Sequence, residues 1–192
     1  MSRHDPLLDA LIRAHPEVSL RSRGDAFKTL ARSICGQQIS LKAADSVWAR
    51  VCALSDIDPH SLLKQNVPAL AACGLSVRKA EYIYDLAQHF ASGAIQPSRW
   101  TTMADEAIIT ELVDVRGIGR WTAEMFLMFN LLRPDVLPVD DLGLQRAVSQ
   151  LYFQGEPVGS AGVRLVAADW VPWRSVATWY LWRSLDPVAV EY

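Results

Sequence analysis

The chain has 192 residues, of which 51% are hydrophobic and 21% are charged. This composition is typical of a folded protein and excludes a disordered tail, and the length suits one domain or two small lobes. Nineteen basic and 21 acidic side chains leave a net charge of −2. That balance excludes the strongly basic profile of a protein that coats nucleic acid, although a local basic face stays compatible with it.

Apolar side chains recur with a helical period along almost the whole chain. Turn residues separate the periodic segments, at Gly93–Pro97 and Gly155–Gly159 among other places. No segment alternates with period two over a convincing length, so the fold class that we predict is all-α, with roughly eight to ten helices. The predicted helices are a first one that ends at His15-Pro16, Phe27–Ile34, one capped by Ser40, one capped by Ser76 that ends before Gly93, Asp105–Val113, Trp121–Leu132, Leu142–Tyr152, Gly162–Trp170 and Trp173–Ser184.

The cysteines and the apolar runs bear on where the protein works. Cys35, Cys52 and Cys73 are odd in number and far apart, which favours a reducing compartment over a disulfide framework. The N-terminal residues 1–5 do not lead into a signal peptide, and the longest apolar run, 125–132, is far shorter than the ~20 residues of a membrane span. We therefore expect a soluble intracellular protein with no membrane association, in the cytoplasm or nucleoid of a bacterium or in the nucleus of a eukaryote.

The most informative segment is a Gly-x-Gly turn between two apolar helices, at residues 112–123. Glycine at 117 and 119 permits a positive φ and leaves no Cβ to keep a large partner from the backbone. The second helix starts at once, so its first N–H groups and its dipole favour an anion such as a phosphodiester. Taken alone, this short pattern also fits an ordinary corner between two helices. The predicted DNA contacts in the segment are Arg116, Gly117, Gly119, Arg120 and Thr122.

Five blocks of sequence, in order along the chain, resemble the helix-hairpin-helix (HhH-GPD) DNA glycosylases, and among them the 3-methyladenine DNA glycosylase II branch. The blocks are Phe27–Ser40, Gly74–Ala80, the Gly-x-Gly segment, Arg133–Gly143 and Trp170–Ser175. The resemblance implies two helical lobes with a DNA-binding cleft between them, one of about residues 30–130 and the other of about 1–29 plus 135–192. Longer members of the family carry an additional N-terminal domain that contains β-structure. Because the given sequence starts almost at its first predicted helix, we expect it to correspond to the catalytic core alone.

Two adjacent carboxylates, Asp140 and Asp141, precede the amphipathic segment that starts at Leu142. A helix N-terminus favours such anions, and either of them could simply cap the helix. Hydrolysis of an N-glycosidic bond passes through a cation-like sugar, which a fixed anion stabilises. In the family the essential aspartate directly precedes a Leu-Gly dipeptide. The resemblance therefore implies that Asp141 is the exposed catalytic carboxylate, with Asp140 the second choice and the better candidate for a capping role.

Aromatic side chains could hold a flipped cationic base, because cation–π contacts are favourable in a desolvated site. Most of the seven tryptophans are expected to pack in the core. The resemblance implies that Trp121 and Trp182 form the base pocket, with Met125 where relatives have an aromatic side chain. Related glycosylase/lyases carry a lysine where this chain has Trp121, which implies a monofunctional hydrolase that uses water. Because no cysteine follows Cys73, we expect no iron–sulfur cluster of the kind that those lyases often hold.

Two further features follow from the resemblance. Gln37 or Gln38 occupies the wedge region, from which a side chain fills the gap that a flipped base leaves, although both are also ordinary polar loop residues. The backbone carbonyls of Val113, Val115 and Ile118 correspond to those that bind a structural Na⁺ or K⁺ at the hairpin. No other cofactor is expected, and the four scattered histidines lack the spacing of metal ligands.

The sequence thus predicts a monomeric DNA glycosylase that excises alkylated purines, such as 3-methyladenine and 7-methylguanine, from double-stranded DNA in base excision repair. Two alternatives stay open. One is a helix-hairpin-helix module that binds DNA without catalysis, which the modest acidity supports because charge alone would give weak affinity. The other is a mismatch or oxidised-base glycosylase of the same superfamily.

Overall fold

The computed structural model describes residues 5–16 and 20–185, so most of the segment 1–5, which is not expected to lead into a signal peptide, lies outside this part of the chain. Helices and their connections make up all of it, with no strand in either described range, so the predicted all-α class is confirmed. In these ranges the α-helices are α1 Pro6–Ala14, α2 Ala26–Gly36, α3 Leu41–Leu54, α4 Pro59–Leu63, α5 Val67–Ala72, α6 Val77–Ala91, α7 Asp105–Val113, α8 Arg120–Phe129, α9 Leu142–Tyr152, α10 Ser160–Ala167 and α11 Arg174–Leu185, with 3-10 helices at Pro97–Thr102 and Ala168–Trp170.

Local capping chemistry explains most of the helix ends. Ser40 and Ser76 are N-caps as predicted, since each hydroxyl oxygen accepts the backbone N–H three residues on, at 3.3 and 3.2 Å. Gly93 follows α6 with φ +77, the left-handed conformation that glycine adopts at low cost. The predicted spans 105–113 and 142–152 agree with α7 and α9 at both ends.

Three helices were not predicted: α4, α5 and the 3-10 helix at Pro97–Thr102. Each has six residues or fewer, which is too short for an apolar period to emerge. The prediction that α8 continues to Leu132 is wrong. The helix ends at Phe129, Leu132 takes a positive φ of 54°, and the N–H of Arg133 closes the turn on the carbonyl of Leu127 at 2.9 Å.

The described residues divide into two compact units. One, here the hairpin unit, is Arg23–Phe126 and includes α2–α7 with most of α8. Its helices α2, α4 and α5 pack against α6, and the rings of Phe27 and Phe90 meet edge to face with centroids 5.2 Å apart. Phe27, which the sequence analysis groups with the N-terminal helix, therefore packs inside this unit.

The other, here the aspartate unit, comprises the described residues of 1–22 and 127–192. Its core is formed by α1, α9, α10 and α11 around the fully buried Trp170. Asp5 caps α1 and also accepts hydrogen bonds from Tyr152 Oη at 2.6 Å and from Trp170 Nε1 at 3.1 Å, which anchors the N-terminal helix. In neither described range is a helix long and apolar enough to cross a membrane.

Candidate active site

Asp141 is the N-cap of α9 and is almost completely buried, with 8% of its surface exposed. Its Oδ1 atom accepts two hydrogen bonds, from the backbone N–H of Leu144 at 2.6 Å and from the indole Nε1 of Trp182 at 2.8 Å. The first of these is the ordinary N-cap bond, and the second comes from α11, which packs against α9. The carboxylate is therefore fixed by a backbone donor and a side-chain donor at the positive end of a helix.

The predicted division of labour between the two aspartates is wrong in two respects. Asp141, not Asp140, caps the helix, and Asp141 is buried where an exposed carboxylate was expected. A turn closed by the N–H of Asp141 on the carbonyl of Pro138, at 3.0 Å, places residue 141 directly before the first turn of α9. Asp140 is exposed and accepts a hydrogen bond from Ser160 Oγ at 2.6 Å.

Gly143 leaves room for this arrangement. A Cβ atom at this position would lie 3.1 Å from Asp141 Oδ1 and 3.1 Å from Trp182 Nε1, the two atoms that the hydrogen bond joins. These separations are tighter than ordinary van der Waals contact, so a side chain would push the donor and the acceptor apart. In the sequence the Leu-Gly dipeptide is only a family marker, and nothing there indicates that Gly143 makes room for the hydrogen bond.

Trp182 is buried, with 8% exposed, and its ring stacks on that of Phe129 with centroids 6.1 Å apart and an angle of 21° between the planes. The sequence analysis assigns Trp182 to the base pocket and does not find its bond to the carboxylate. The structure adds Phe129, which the sequence analysis does not name, as its aromatic neighbour.

The loop that leads to Asp141 is fixed to the start of α11. Arg174 forms a bidentate ion pair with Asp135, with two N–O distances of 2.7 Å, and this pair lowers the pKa of Asp135. Ser175 Oγ donates to the carbonyl of Arg133 at 2.6 Å and accepts from the N–H of Val136 at 2.9 Å. Arg174 and Ser175 lie in the last of the five sequence blocks that resemble the family. That resemblance is the one sign in the sequence that they hold the loop before Asp141.

The predicted hairpin is present between α7 and α8. Gly117 has φ +86 and lies against the face of Tyr82, where any Cβ atom would collide with the ring. Of the two glycines that permit a positive φ, only Gly117 adopts one. Gly119 instead faces open space, with no atom within 4 Å of where its Cβ would be, so a partner can approach the backbone closely there.

Both predicted arginines of the hairpin are paired with carboxylates. Arg116 binds Glu81 at 3.1 Å, and Arg120 binds Glu106 at 2.5 and 3.0 Å and Glu124 at 2.9 Å. The hydrogen bonds from Arg120 lower the pKa of Glu106. The pairs with Glu81 and Glu106 are exposed to solvent and contribute little to stability, whereas the side chain of Glu124 is only 6% exposed.

Thr122, Trp121 and Met125 all lie on α8, within its first two turns. The side chain of Thr122 is buried, with 8% exposed, so its predicted contact with DNA is limited to the backbone. Trp121 is 41% exposed, and Met125, one turn later, is 7% exposed. The exposed indole is thus the part of the predicted base pocket that the hairpin unit presents to solvent.

The two candidate wedge residues have different surroundings. Gln37 is half-buried, and its Nε2 donates to the carbonyl of Gly117 at 2.9 Å, so its side chain is bound to the hairpin turn. Gln38 is exposed and has φ +59, a left-handed conformation that is uncommon outside glycine. Of the two, Gln38 is the one whose side chain is presented to solvent.

No cluster of three or more histidine, cysteine, aspartate or glutamate side chains suited to a metal lies within residues 5–16 and 20–185. The predicted cation ligands are backbone carbonyl oxygens and not side chains. Among them, the carbonyl of Val115 accepts the N–H of Ile118 at 3.1 Å.

The glycine turn between α7 and α8, followed by an aspartate at the cap of α9, is the arrangement expected of a helix-hairpin-helix protein. The chain belongs to the HhH-GPD superfamily of base excision DNA repair proteins, whose family model matches residues 31–172. The resemblance inferred from the sequence blocks is therefore confirmed.

Three known proteins illustrate the similarity. The DNA-3-methyladenine glycosylase of Bacillus subtilis is 31% identical over 198 residues, which cover 96% of this chain and 65% of the relative. The structure of a DNA-3-methyladenine glycosidase from Bacillus halodurans matches with a TM-score of 0.91 and 37% identity, over 100% of this chain and 89% of that one. The 3-methyladenine DNA glycosylase Mag1 of Schizosaccharomyces pombe, in complex with abasic DNA, matches with a TM-score of 0.79 and 27% identity, over 98% and 95%. The chain spans about two thirds of the length of the curated relatives that it matches.

Proposed function

We propose that this protein is a monofunctional DNA glycosylase that hydrolyses the N-glycosidic bond of alkylated purines in double-stranded DNA. The observation that carries the proposal is the carboxylate of Asp141, held at the N-terminus of α9 by Leu144 N and Trp182 Nε1. The relatives that are named as 3-methyladenine glycosylases support the substrate class.

Asp141 acts on the sugar side of the bond. As the C1′–N bond lengthens, positive charge develops on the deoxyribose ring, and a fixed anion beside C1′ lowers the energy of that state. Its two donors hold Oδ1 before the substrate arrives, so little reorganisation is needed when the charge appears. The carboxylate also orients the water that adds to C1′.

The departing base needs little help from the protein. A purine methylated at a ring nitrogen, such as 3-methyladenine or 7-methylguanine, is cationic in DNA and leaves as a neutral molecule once the bond electrons have moved to it. No general acid is required for that step. The exposed ring of Trp121, with Met125 beside it on α8, holds the cationic base by a cation–π contact. Trp121 also occupies the position at which related lyases have an amine nucleophile, so water is the attacking group.

The hairpin holds the DNA backbone without reading its sequence. The first turn of α8 presents N–H groups and the positive end of its dipole to a phosphate, and open Gly119 allows close approach. Arg116 exchanges Glu81 and Arg120 exchanges Glu106 for phosphate, while Arg120 keeps its bond to buried Glu124. Gln38 fills the space that the flipped base leaves and hydrogen-bonds the orphaned partner base, because Gln37 is bound to the carbonyl of Gly117.

A monovalent cation at the hairpin belongs to the same proposal. The carbonyls of Val113, Val115 and Ile118 are oxygen donors of the kind that Na⁺ and K⁺ prefer. Bound there, the ion would add positive charge to the turn and so favour a nearby DNA phosphate. The chemical step does not use it. Acting on cellular DNA, the protein would work as an intracellular monomer.

The test is release of 3-methyladenine and 7-methylguanine from methylated duplex DNA by the wild type, Asp141→Asn and Asp140→Asn. We expect the wild type and Asp140→Asn to release both bases and Asp141→Asn to release neither above background. Asp140 is the matched control because it is the neighbouring carboxylate, is exposed, and bonds Ser160 Oγ away from Asp141 and Trp182. Binding without release by the wild type would instead favour the non-catalytic module. Release only of oxidised or mismatched bases would favour the other glycosylase class.

A further inference from the structure

The loop that carries Gln38 is held by a lysine from another helix. Lys79 Nζ donates to the carbonyl of Cys35 at 3.0 Å and to the carbonyl of Gln37 at 2.5 Å, the residue directly before Gln38. Cys35 lies in the last turn of α2, where the helix leaves carbonyl groups without internal partners. The ammonium group therefore joins the end of α2 to the start of the loop.

Lys79 itself stands on a rigid base. It is the third residue of α6, and its own N–H donates to the capping hydroxyl of Ser76 at 3.2 Å. A lysine on an ordered first turn can hold its ammonium group at one place, whereas a lysine in a loop could not.

An open cavity of about 240 Å³ adjoins the loop, lined by Gln37, Gln38 and Ile39 on the loop side and by residues 74–76 and Lys79 on the side of α6. Lys79 lines this cavity and also bonds the loop, so its hydrogen bonds hold the loop at the edge of the cavity.

A second bond joins the same loop to the hairpin. Gln37 Nε2 donates to the carbonyl of Gly117 at 2.9 Å. The backbone of residue 37 is thus bound by Lys79 and its side chain by the hairpin turn, and the next residue, Gln38, adopts the left-handed conformation with φ +59. Gln38 thus has an exposed side chain and an uncommon backbone conformation, and two hydrogen bonds fix the residue directly before it. This arrangement is suited to insertion of the side chain into a duplex.

We propose that Lys79 is a positioning residue for base flipping: it holds the 37–38 backbone so that Gln38 enters the gap left by the flipped base. The inference rests on the proposed function, since it takes Gln38 as the inserted residue. Lys79 does not touch DNA in this role and acts only through the loop. It follows that removing Lys79 should matter only while Gln38 is present.

The experiment is a double-mutant cycle of Lys79→Met and Gln38→Ala, with Lys79→Arg as the conservative variant. Lys28→Met serves as the control, because it removes the same charge from the opposite end of α2. Two readouts are used. One is the single-turnover rate of 7-methylguanine excision from a defined duplex. The other is the fluorescence of 2-aminopurine placed opposite a stable abasic-site analogue, which reports insertion of a side chain without any chemistry.

We expect Lys79→Met to lower the excision rate about tenfold or more, the equivalent of one charge-assisted hydrogen bond, and to remove the fluorescence change. The double variant should be no slower than Gln38→Ala, and Lys79→Arg and Lys28→Met should stay close to the wild type. Thermal unfolding is measured for each variant, and if Lys79→Met does not fold, Lys79→Gln replaces it in the cycle.

Additive losses in the double variant would overturn the proposal, because Lys79 would then act independently of Gln38. Wild-type behaviour of Lys79→Met in both readouts would overturn it as well. These results are distinguishable from failure of the proposed function. In that case the wild type excises no alkylated base, whereas the fluorescence cycle still measures insertion at the abasic analogue.

Discussion

The hydrogen bond from Trp182 Nε1 to Asp141 Oδ1, 2.8 Å long, provides the sharpest test of the proposed active site. Trp182→Phe removes this donor and keeps an aromatic ring in a position to stack on Phe129. The carboxylate then keeps its bond from Leu144 N but loses the restraint from α11. We therefore expect slower chemistry in a folded protein.

The size of the effect follows from the burial of both partners. Each of the two residues is 8% exposed, so water replaces the lost donor poorly. A hydrogen bond to a charged group is worth about 1.5–3 kcal/mol, and if that amount is lost from the transition state the rate falls roughly 10- to 100-fold. The loss should appear in the single-turnover rate at saturating enzyme, with the affinity for alkylated duplex nearly unchanged.

Trp179→Phe is the matched control. Trp179 lies on the same helix, α11, and packs edge to face on Tyr180 with centroids 5.0 Å apart. The Trp179→Phe variant should excise 7-methylguanine at a rate close to that of the wild type. If Trp182→Phe does so too, the indole does not position the carboxylate. Trp182→Phe is also combined with Asp141→Asn, and its affinity for alkylated duplex is compared with that of Asp141→Asn alone. If Trp182→Phe lowers the affinity there too, Trp182 acts on the base and the reasoning from the hydrogen bond is refuted.

Three glycines and one histidine give further predictions. Gly143→Ala should fold normally but excise more slowly, because its Cβ would lie 3.1 Å from Asp141 Oδ1; a wild-type rate in the single-turnover assay would contradict this. Gly117→Ala should lower the free energy of unfolding by at least about 1 kcal/mol in denaturant titrations, since φ is +86 and the new Cβ collides with a tyrosine ring. Gly119→Ala should keep the stability of the wild type and weaken duplex binding in binding isotherms. Equal stabilities of the two variants would contradict this prediction. Burial lowers the pKa of His89, but its hydrogen bonds to a backbone carbonyl and to an aspartate outweigh that and raise the pKa above 6.5. The stabilisation by protonated His89 is therefore full well below its ordinary pKa and is lost as the pH rises through the raised pKa. The stability difference between wild type and His89→Gln should be smaller at alkaline than at acidic pH in unfolding experiments, and a difference that does not change with pH would contradict the assignment.

Much of the fold was predictable because long amphipathic helices have a strong signal. The first and last residues of α7 and α9 were predicted correctly, since apolar periodicity marks both helices and Asp141 also caps α9. The five-residue α4 was missed because one turn has no period to detect. The stop of α8 at Phe129 was missed because the apolar run continues beyond it, while the turn that ends the helix depends on a backbone hydrogen bond.

The candidate site was predictable only as far as single residues carry a signal. Asp141 could be singled out because it stands before a Leu-Gly dipeptide, but its burial could not, since that depends on how α11 packs on α9. For the same reason the sequence placed Trp182 at the base, whereas the structure places its Nε1 on the carboxylate 41 positions earlier in the chain. A polar contact over such a separation leaves no local pattern.

The hairpin shows how a charge pattern can mislead when its partners are distant in sequence. Arg116 and Arg120 flank the turn, which predicts a basic face, yet each lies on a carboxylate: Glu81 is 35 residues away and Glu106 is 14 residues away. The guanidinium groups beside the turn are thus already paired within the described structure. In the proposed complex with DNA, phosphate would compete with the exposed carboxylates of Glu81 and Glu106, whereas Arg120 would keep its bond to buried Glu124. Recognition of the backbone then depends on the geometry of the turn more than on the number of positive charges beside it.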